Sequence, residues 1–419
     1  MLLRRLLSDK AHRRLPKVIN AGMRIIRHAA VAVAVLTSFL LLFPFLWSQL
    51  PEAPLPATAN GYLGDEACRS CHQQQFESYL GTAHHVASRL PSSSSISGKF
   101  TPGSNILHTS NPFLYFVMTA SSEGFFQSAF AELPPSDTLS RRERFGLVIG
   151  SGRKGQTYLY WHGDQLFEMP VSYWTESGQW INSPGYPDGL PNFDKPIIAR
   201  CLECHTTYFR TLTPPANRFE TENFVLGIAC EKCHGPGQAH VARTQAHKPA
   251  GDPPDIVNPA KLPPQRQMDL CALCHAGPGT PRAPSFTFTA GQDLSRYLSI
   301  TETAPETPTD VHGHQVHQLS SSRCFRSAAM TCATCHDVHQ QQRDTSVLSG
   351  RCLTCHKAES CGKFPVMQSR IVDHCIDCHM PLQTSNQIVF DTQGHQIHPQ
   401  VRSHRIAIYR DAEIPPSKP

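Results

Sequence analysis

Fourteen cysteines of this chain fall into one five-residue pattern, Cys-X-X-Cys-His, repeated seven times. The copies are Cys68/Cys71/His72, Cys201/Cys204/His205, Cys230/Cys233/His234, Cys271/Cys274/His275, Cys332/Cys335/His336, Cys352/Cys355/His356 and Cys375/Cys378/His379. Positions i, i+3 and i+4 share one face of a helical turn, so each copy presents two thiols and an imidazole together. Such a face can hold a flat macrocycle at two covalent points and offer a nitrogen to the metal at its centre. This is the chemistry of c-type haem attachment, with the histidine as an axial ligand of the iron. At the chain's own Cys and His frequencies, chance supplies roughly 0.03 such pentapeptides. Zinc ribbons and thioredoxin-like pairs also use Cys-X-X-Cys, but neither explains a histidine after every pair. The sequence therefore calls for seven covalent haems with iron.

A haem iron has a second axial position, and what fills it separates an electron carrier from a site that binds substrate. Beyond the seven proximal histidines and His12 and His28 near the N-terminus, fourteen remain: His84, His85, His108, His162, His240, His247, His312, His314, His317, His339, His374, His395, His398 and His404. His84, His240 and His339 follow the first, third and fifth motifs closely and stand out as distal ligands. His85, His162, His247, His312 and His374 read better as surface groups or hydrogen-bond partners of haem propionates. Met380, next to a proximal histidine, is poorly placed to serve the same iron. Cys324 and Cys361 lie outside the pattern and, in an oxidising compartment, most simply form a disulfide; a free thiol or a haem ligand is the alternative.

The elements that must position these groups are unusual in composition, with 16 Cys, 23 His and 35 Pro among 419 residues and only 8% aromatics. Such a chain is poor in ordinary core residues for its length, and the haems themselves are expected to fill the interior. Residues 1–28 carry eight basic side chains against one acid, and 29–50 are uncharged. This predicts a basic cytoplasmic leader followed by a transmembrane anchor or signal segment, with the remainder in the periplasm at the inner membrane. Without the leader the charge falls to 30 basic against 32 acidic residues, which gives nucleic acid no basic patch to bind. A first haem segment is expected over 51–110 and a β-rich insert over 111–200. The insert has alternating stretches at Phe113 to Thr119 and Gly146 to Tyr173 and turn signals at Gly124, Gly155 and Gly163-Asp164. Six motifs then crowd into 201–419. The predicted fold class is mainly α with long loops and a small β-hairpin insert around a haem-packed core.

Several segments carry a family resemblance: GDEACRSCH with the following His84, IGSGRKGQTYLYWHGDQLFEMPVSYW, GIACEKCHGPGQAH, IVNPAKLPPQRQMDLCALCH, SRCFRSAAMTCATCHDVH, CIDCHMP and HPQVRSHRI. From about Tyr62 to Ile406 the chain resembles the exported multihaem cytochromes often joined to tetratricopeptide repeats and related to the cytochrome c-554 group. The resemblance implies bis-histidine haems with distal ligands from His84, His108, His240, His314, His339, His398 and His404, and a structural role for Cys324. The tetratricopeptide array of many relatives does not follow, so its docking role is not carried over. The expected function is electron transfer between a membrane quinol dehydrogenase or another cytochrome and a terminal partner. The alternative is an oxidoreductase with one open iron acting on a small nitrogen or sulfur compound. The sites of His205 and His275, which lack a close downstream histidine, are its candidates.

Overall fold

The computed structural model describes residues 60–133, 137–212, 216–249, 255–300, 314–385 and 388–410. All lie within the unit Pro56–Pro419, the second of two into which the chain divides. The expected leader at 1–28 and span at 29–50 fall outside the described residues. Among those described, no helix is long and apolar enough to cross a membrane. The expected single-pass inner-membrane placement is therefore corrected: nothing described forms a span.

Strands dominate the part before the second motif. Ile106–His108, Leu114–Ser121, Gly124–Leu133 and Asp137–Arg144 form a four-stranded antiparallel sheet in chain order. A second sheet of seven strands runs Ser88–Arg89, Leu147–Ile149, Gly155–His162, Gln165–Glu168 and Lys195–Pro196, and Val171–Trp174 and Gln179–Asn182 branch from its central strand. The alternation read in the sequence is real: Leu114, Phe116 and Met118 point inward from one strand. The Gly163-Asp164 signal closes a two-residue hairpin, with His162 opposite Gln165 and Gly163 at φ +60°.

This element is larger than the insert that was expected, and it corrects the mainly-α fold class. Strand pairs also recur among the attachment sites, at Thr206–Thr211 with Phe219–Leu226, Thr280–Pro281 with Leu298–Ser299, Leu382–Thr384 with Gln400–Arg402, and Phe390–Thr392 with His395–Ile397. The longest described helix, Pro264–His275, has 12 residues. The physical reason is that haem attachment needs only one helical turn, so seven motifs do not require seven long helices.

The central strand Gly155–His162 is buried on both faces. Tyr158 and Tyr160 join one apolar cluster with Phe116, Phe145 and Trp180, while Leu159 joins a second with Leu147, Leu166, Tyr208 and Phe209. Leu202, inside the second motif, belongs to that second cluster, so the sheet anchors the attachment helix Ala199–His205 directly. Ordinary packing therefore supports the first half of the unit. Between 314 and 385, by contrast, Ile371 and Ile376 are the buried apolar side chains among the described residues.

Candidate functional site

Each motif folds as the spacing requires. The fourth ends the helix Pro264–His275, the third and seventh are the one-turn helices Cys230–His234 and Cys375–His379, and the second lies in Ala199–His205. In the first, fifth and sixth, the histidine N–H closes on the carbonyl of the first cysteine: His72 to Cys68 at 2.9 Å, His336 to Cys332 at 3.0 Å and His356 to Cys352 at 2.9 Å. The two thiols and the imidazole thus share a face.

Three proximal imidazoles face a second imidazole across a gap of one size. Ring centroids lie 6.1 Å apart for His275 and His84, 6.1 Å for His234 and His339, and 6.3 Å for His336 and His404. An iron between two imidazoles, with metal–nitrogen bonds of about 2.0 Å each and roughly 1.1 Å from nitrogen to ring centre, sets the centroids about 6.2 Å apart. The residues fit the group. When bound there, haem supplies an iron that exchanges one electron between its ferric and ferrous states.

Hydrogen bonds aim these rings. A carbonyl only accepts, so Nδ1–H donates from His234 to Val257 at 2.8 Å, from His379 to Ala407 at 2.8 Å, from His398 to Ser385 at 3.1 Å and from His404 to Arg402 at 3.2 Å. Each bond leaves the Nε2 lone pair for a metal. Burial pushes His84 and His404 down to about 4, assisted by neighbouring histidines, and lowers His234 and His275 as well. The imidazoles therefore stay neutral, which is the ligating form.

The first four motifs, with Cys332 and His336 of the fifth, line a continuous cavity of about 1630 Å³ that also receives His84, His240 and His339. A single small-molecule pocket spans roughly 300–1,000 Å³, so this space suits several cofactors. The sites abut in pairs. Cys230 N donates to Asp65 beside the first motif at 2.6 Å, Arg200 donates to Leu273 O between the second and fourth at 2.6 Å, and Ser349 Oγ donates to Asp373 O between the sixth and seventh at 3.1 Å. The fifth meets the fourth through Cys332 Sγ and Met268 Sδ at 3.8 Å.

Three attachment motifs carry a buried acid between their cysteines, a role that the sequence reading missed. Glu231 accepts from Leu63 N, Gly64 N and Gly237 N at 2.9, 2.7 and 2.7 Å, tying the third site to the loop before the first. Glu203 pairs with Arg200 at 2.9 Å. Asp377 pairs with Arg402 at 3.1 Å and His374 at 3.0 Å. The signal was present in CLECH, CEKCH and CIDCH, because an acid on the back of a one-turn helix is free to bond whatever that turn packs against.

Other expected residues fall in different places. His108 is exposed at the end of its strand beside Tyr115 and is not brought to the cavity. His85 is bonded to Asp65 at 3.0 Å, and His162 and His247 are exposed. His275, a candidate open site, is instead faced by His84. Cys324 and Cys361 are unbonded, which corrects the expected disulfide. They sit at different sites, Cys324 beside Cys335 and Cys352 and Cys361 beside Cys375 and Cys378.

The family described as cytochrome c554 and c-prime matches residues 67–104 and 189–235, the segments that hold the first three motifs and His84. The fold is similar to the crystal structure of the outer cell wall cytochrome OcwA, with 15% identity over 83% of this chain and 79% of that one and a TM-score of 0.51. An undecahaem cytochrome from the S-layer of Carboxydothermus ferrireducens aligns at 18% identity over 89% of this chain and 56% of its own, with a TM-score of 0.39. No curated protein matches. Repeated attachment turns, imidazole pairs spaced for an iron, and a family match on the segments that carry them identify the chain as a multihaem c-type cytochrome.

Proposed function

We propose that this cytochrome carries seven haems, faces the periplasm and serves as an electron carrier whose irons are held by histidine on both sides. The facing pairs His84/His275, His339/His234 and His404/His336 carry this reading, because an iron with two imidazole ligands has no position left for substrate. His240, His314 and His398 are the remaining distal ligands taken from the resemblance. The abutting of successive sites supports passage of electrons from one to the next, and the redox partner is a quinol dehydrogenase or another cytochrome. Closure of the fourth site by His84 removes one of the two places proposed for open-iron catalysis.

The test combines a denatured pyridine haemochrome count with low-temperature EPR of the oxidised protein, with and without nitrite or hydroxylamine. Seven haems per chain and low-spin signals unmoved by either compound are expected. A high-spin signal that shifts with the small molecule would overturn the carrier reading.

A further inference from the structure

We propose that His317 is the distal iron ligand of the sixth attachment site, Cys352/Cys355/His356. This rests on the reading of the motifs as haem sites. His317 lies on the short helix Gln315–Ser320, and its Nε2 is buried without a hydrogen-bond partner. Buried side-chain nitrogens are nearly always satisfied, so an orphan on a metal-ligating side chain points to a partner of another kind.

The helix is held firmly where such a partner would be. Ser320 Oγ and Ser321 N donate to the His317 carbonyl at 2.7 and 3.2 Å. The buried Gln318 accepts from His404 N at 2.8 Å, which fixes the helix to the segment whose imidazole faces His336. Val316 packs on the apolar cluster of the fourth-motif helix. The following helix, Arg323–Ser327, places Cys324 beside Cys335 and Cys352, so this corner of the fold borders the sixth site.

The supply of ligands agrees. The ring pairs account for the third, fourth and fifth sites, which leaves the first, second, sixth and seventh. His240, His314 and His398 can serve three of these four, and His108 is held away on the β element. Of the other described histidines, His162, His247 and His395 are exposed, and His85 and His374 are bonded to carboxylates. His317 remains, with its nitrogen free.

The experiment uses the full-length haem-loaded protein with His317→Ala, His317→Met and, separately, His317→Ala combined with Cys352→Ala and Cys355→Ala. Haem content is measured on each. His317→Ala is expected to keep every haem, to convert one to a high-spin signal in low-temperature EPR, and to bind one carbon monoxide per chain when reduced. His317→Met is expected to restore a low-spin iron with a raised reduction potential, since thioether replaces imidazole. In the triple variant the high-spin signal disappears together with the sixth haem. Unchanged low-spin spectra in His317→Ala, or a high-spin signal that survives loss of the sixth haem, would overturn the assignment. A wild-type haem count below seven would instead count against the haem-carrying reading itself.

Discussion

Glu231→Ala tests whether an acid inside an attachment motif holds neighbouring sites together. The carboxylate is 2% exposed and accepts three backbone N–H groups, from Leu63, Gly64 and Gly237. Removal strands three buried donors, each costing about 1–3 kcal/mol. Burial raises the Glu231 pKa, so part of that loss is offset by a desolvation cost that disappears with the side chain. The net expectation is a destabilisation of about 3–5 kcal/mol, a large share of the roughly 5–15 kcal/mol available to a typical fold. Glu231→Gln keeps one acceptor oxygen and should fall between the two. Because the folded pKa is raised, the folded chain binds this proton more tightly than the unfolded one. The contribution is therefore largest below the ordinary 4.5 and declines as pH rises through the raised value. Denaturant midpoints of the haem-loaded protein, followed by circular dichroism across that pH range, give both quantities. A Glu231→Ala midpoint indistinguishable from wild type would refute the reasoning.

Three further outcomes are expected. His84→Ala should make one of seven haems high-spin, and adding Cys271→Ala and Cys274→Ala should abolish that signal in EPR, because His84 faces the fourth site and not the first motif it follows in sequence. Gly227→Ala should lower the thermal midpoint, with strain of about 1–3 kcal/mol, since Gly227 has φ +65° and an added Cβ would lie 2.1 Å from the His85 carbonyl oxygen. Burial alone would raise Asp65, but hydrogen bonds from His85 and Cys230 outweigh it and hold the carboxyl below its ordinary 3.8. Its stabilisation is present above that pH and fades as pH falls through the lowered value, so an acid titration of Asp65→Asn should show a flatter acid limb than wild type.

What was legible in the sequence divides by the range of the interactions. A haem attachment turn is complete within five residues, so its thiols and proximal histidine can be read without a fold. A distal ligand is set by which chain segment crosses the far face of the site, and that is a property of packing. His84 stands near the first motif yet faces His275, and His339 follows the fifth motif yet faces His234. Closeness in sequence therefore identified useful histidines while saying nothing of the irons they serve. The hairpin at Gly163-Asp164 was legible because its turn chemistry is local. The two sheets were underestimated because short strands such as Leu147–Ile149 and Ser88–Arg89 carry too few residues to display a period, and they exist only through long-range pairing.

The buried acids complete the argument. An attachment turn spends one face on the macrocycle, so its opposite face is what it has left for joining the rest of the chain. Glu203, Glu231 and Asp377 lie between paired cysteines and are all buried, each bonded to a residue of another segment or to the arginine that reaches one. Arg200, paired with Glu203, extends to Leu273 O and Pro278 O in the fourth site. Buried ion pairs are poor sources of net stability but strict in geometry. Their use here fits a molecule whose sites must be fixed relative to one another, because electron transfer between irons depends on how closely and how rigidly those sites are held.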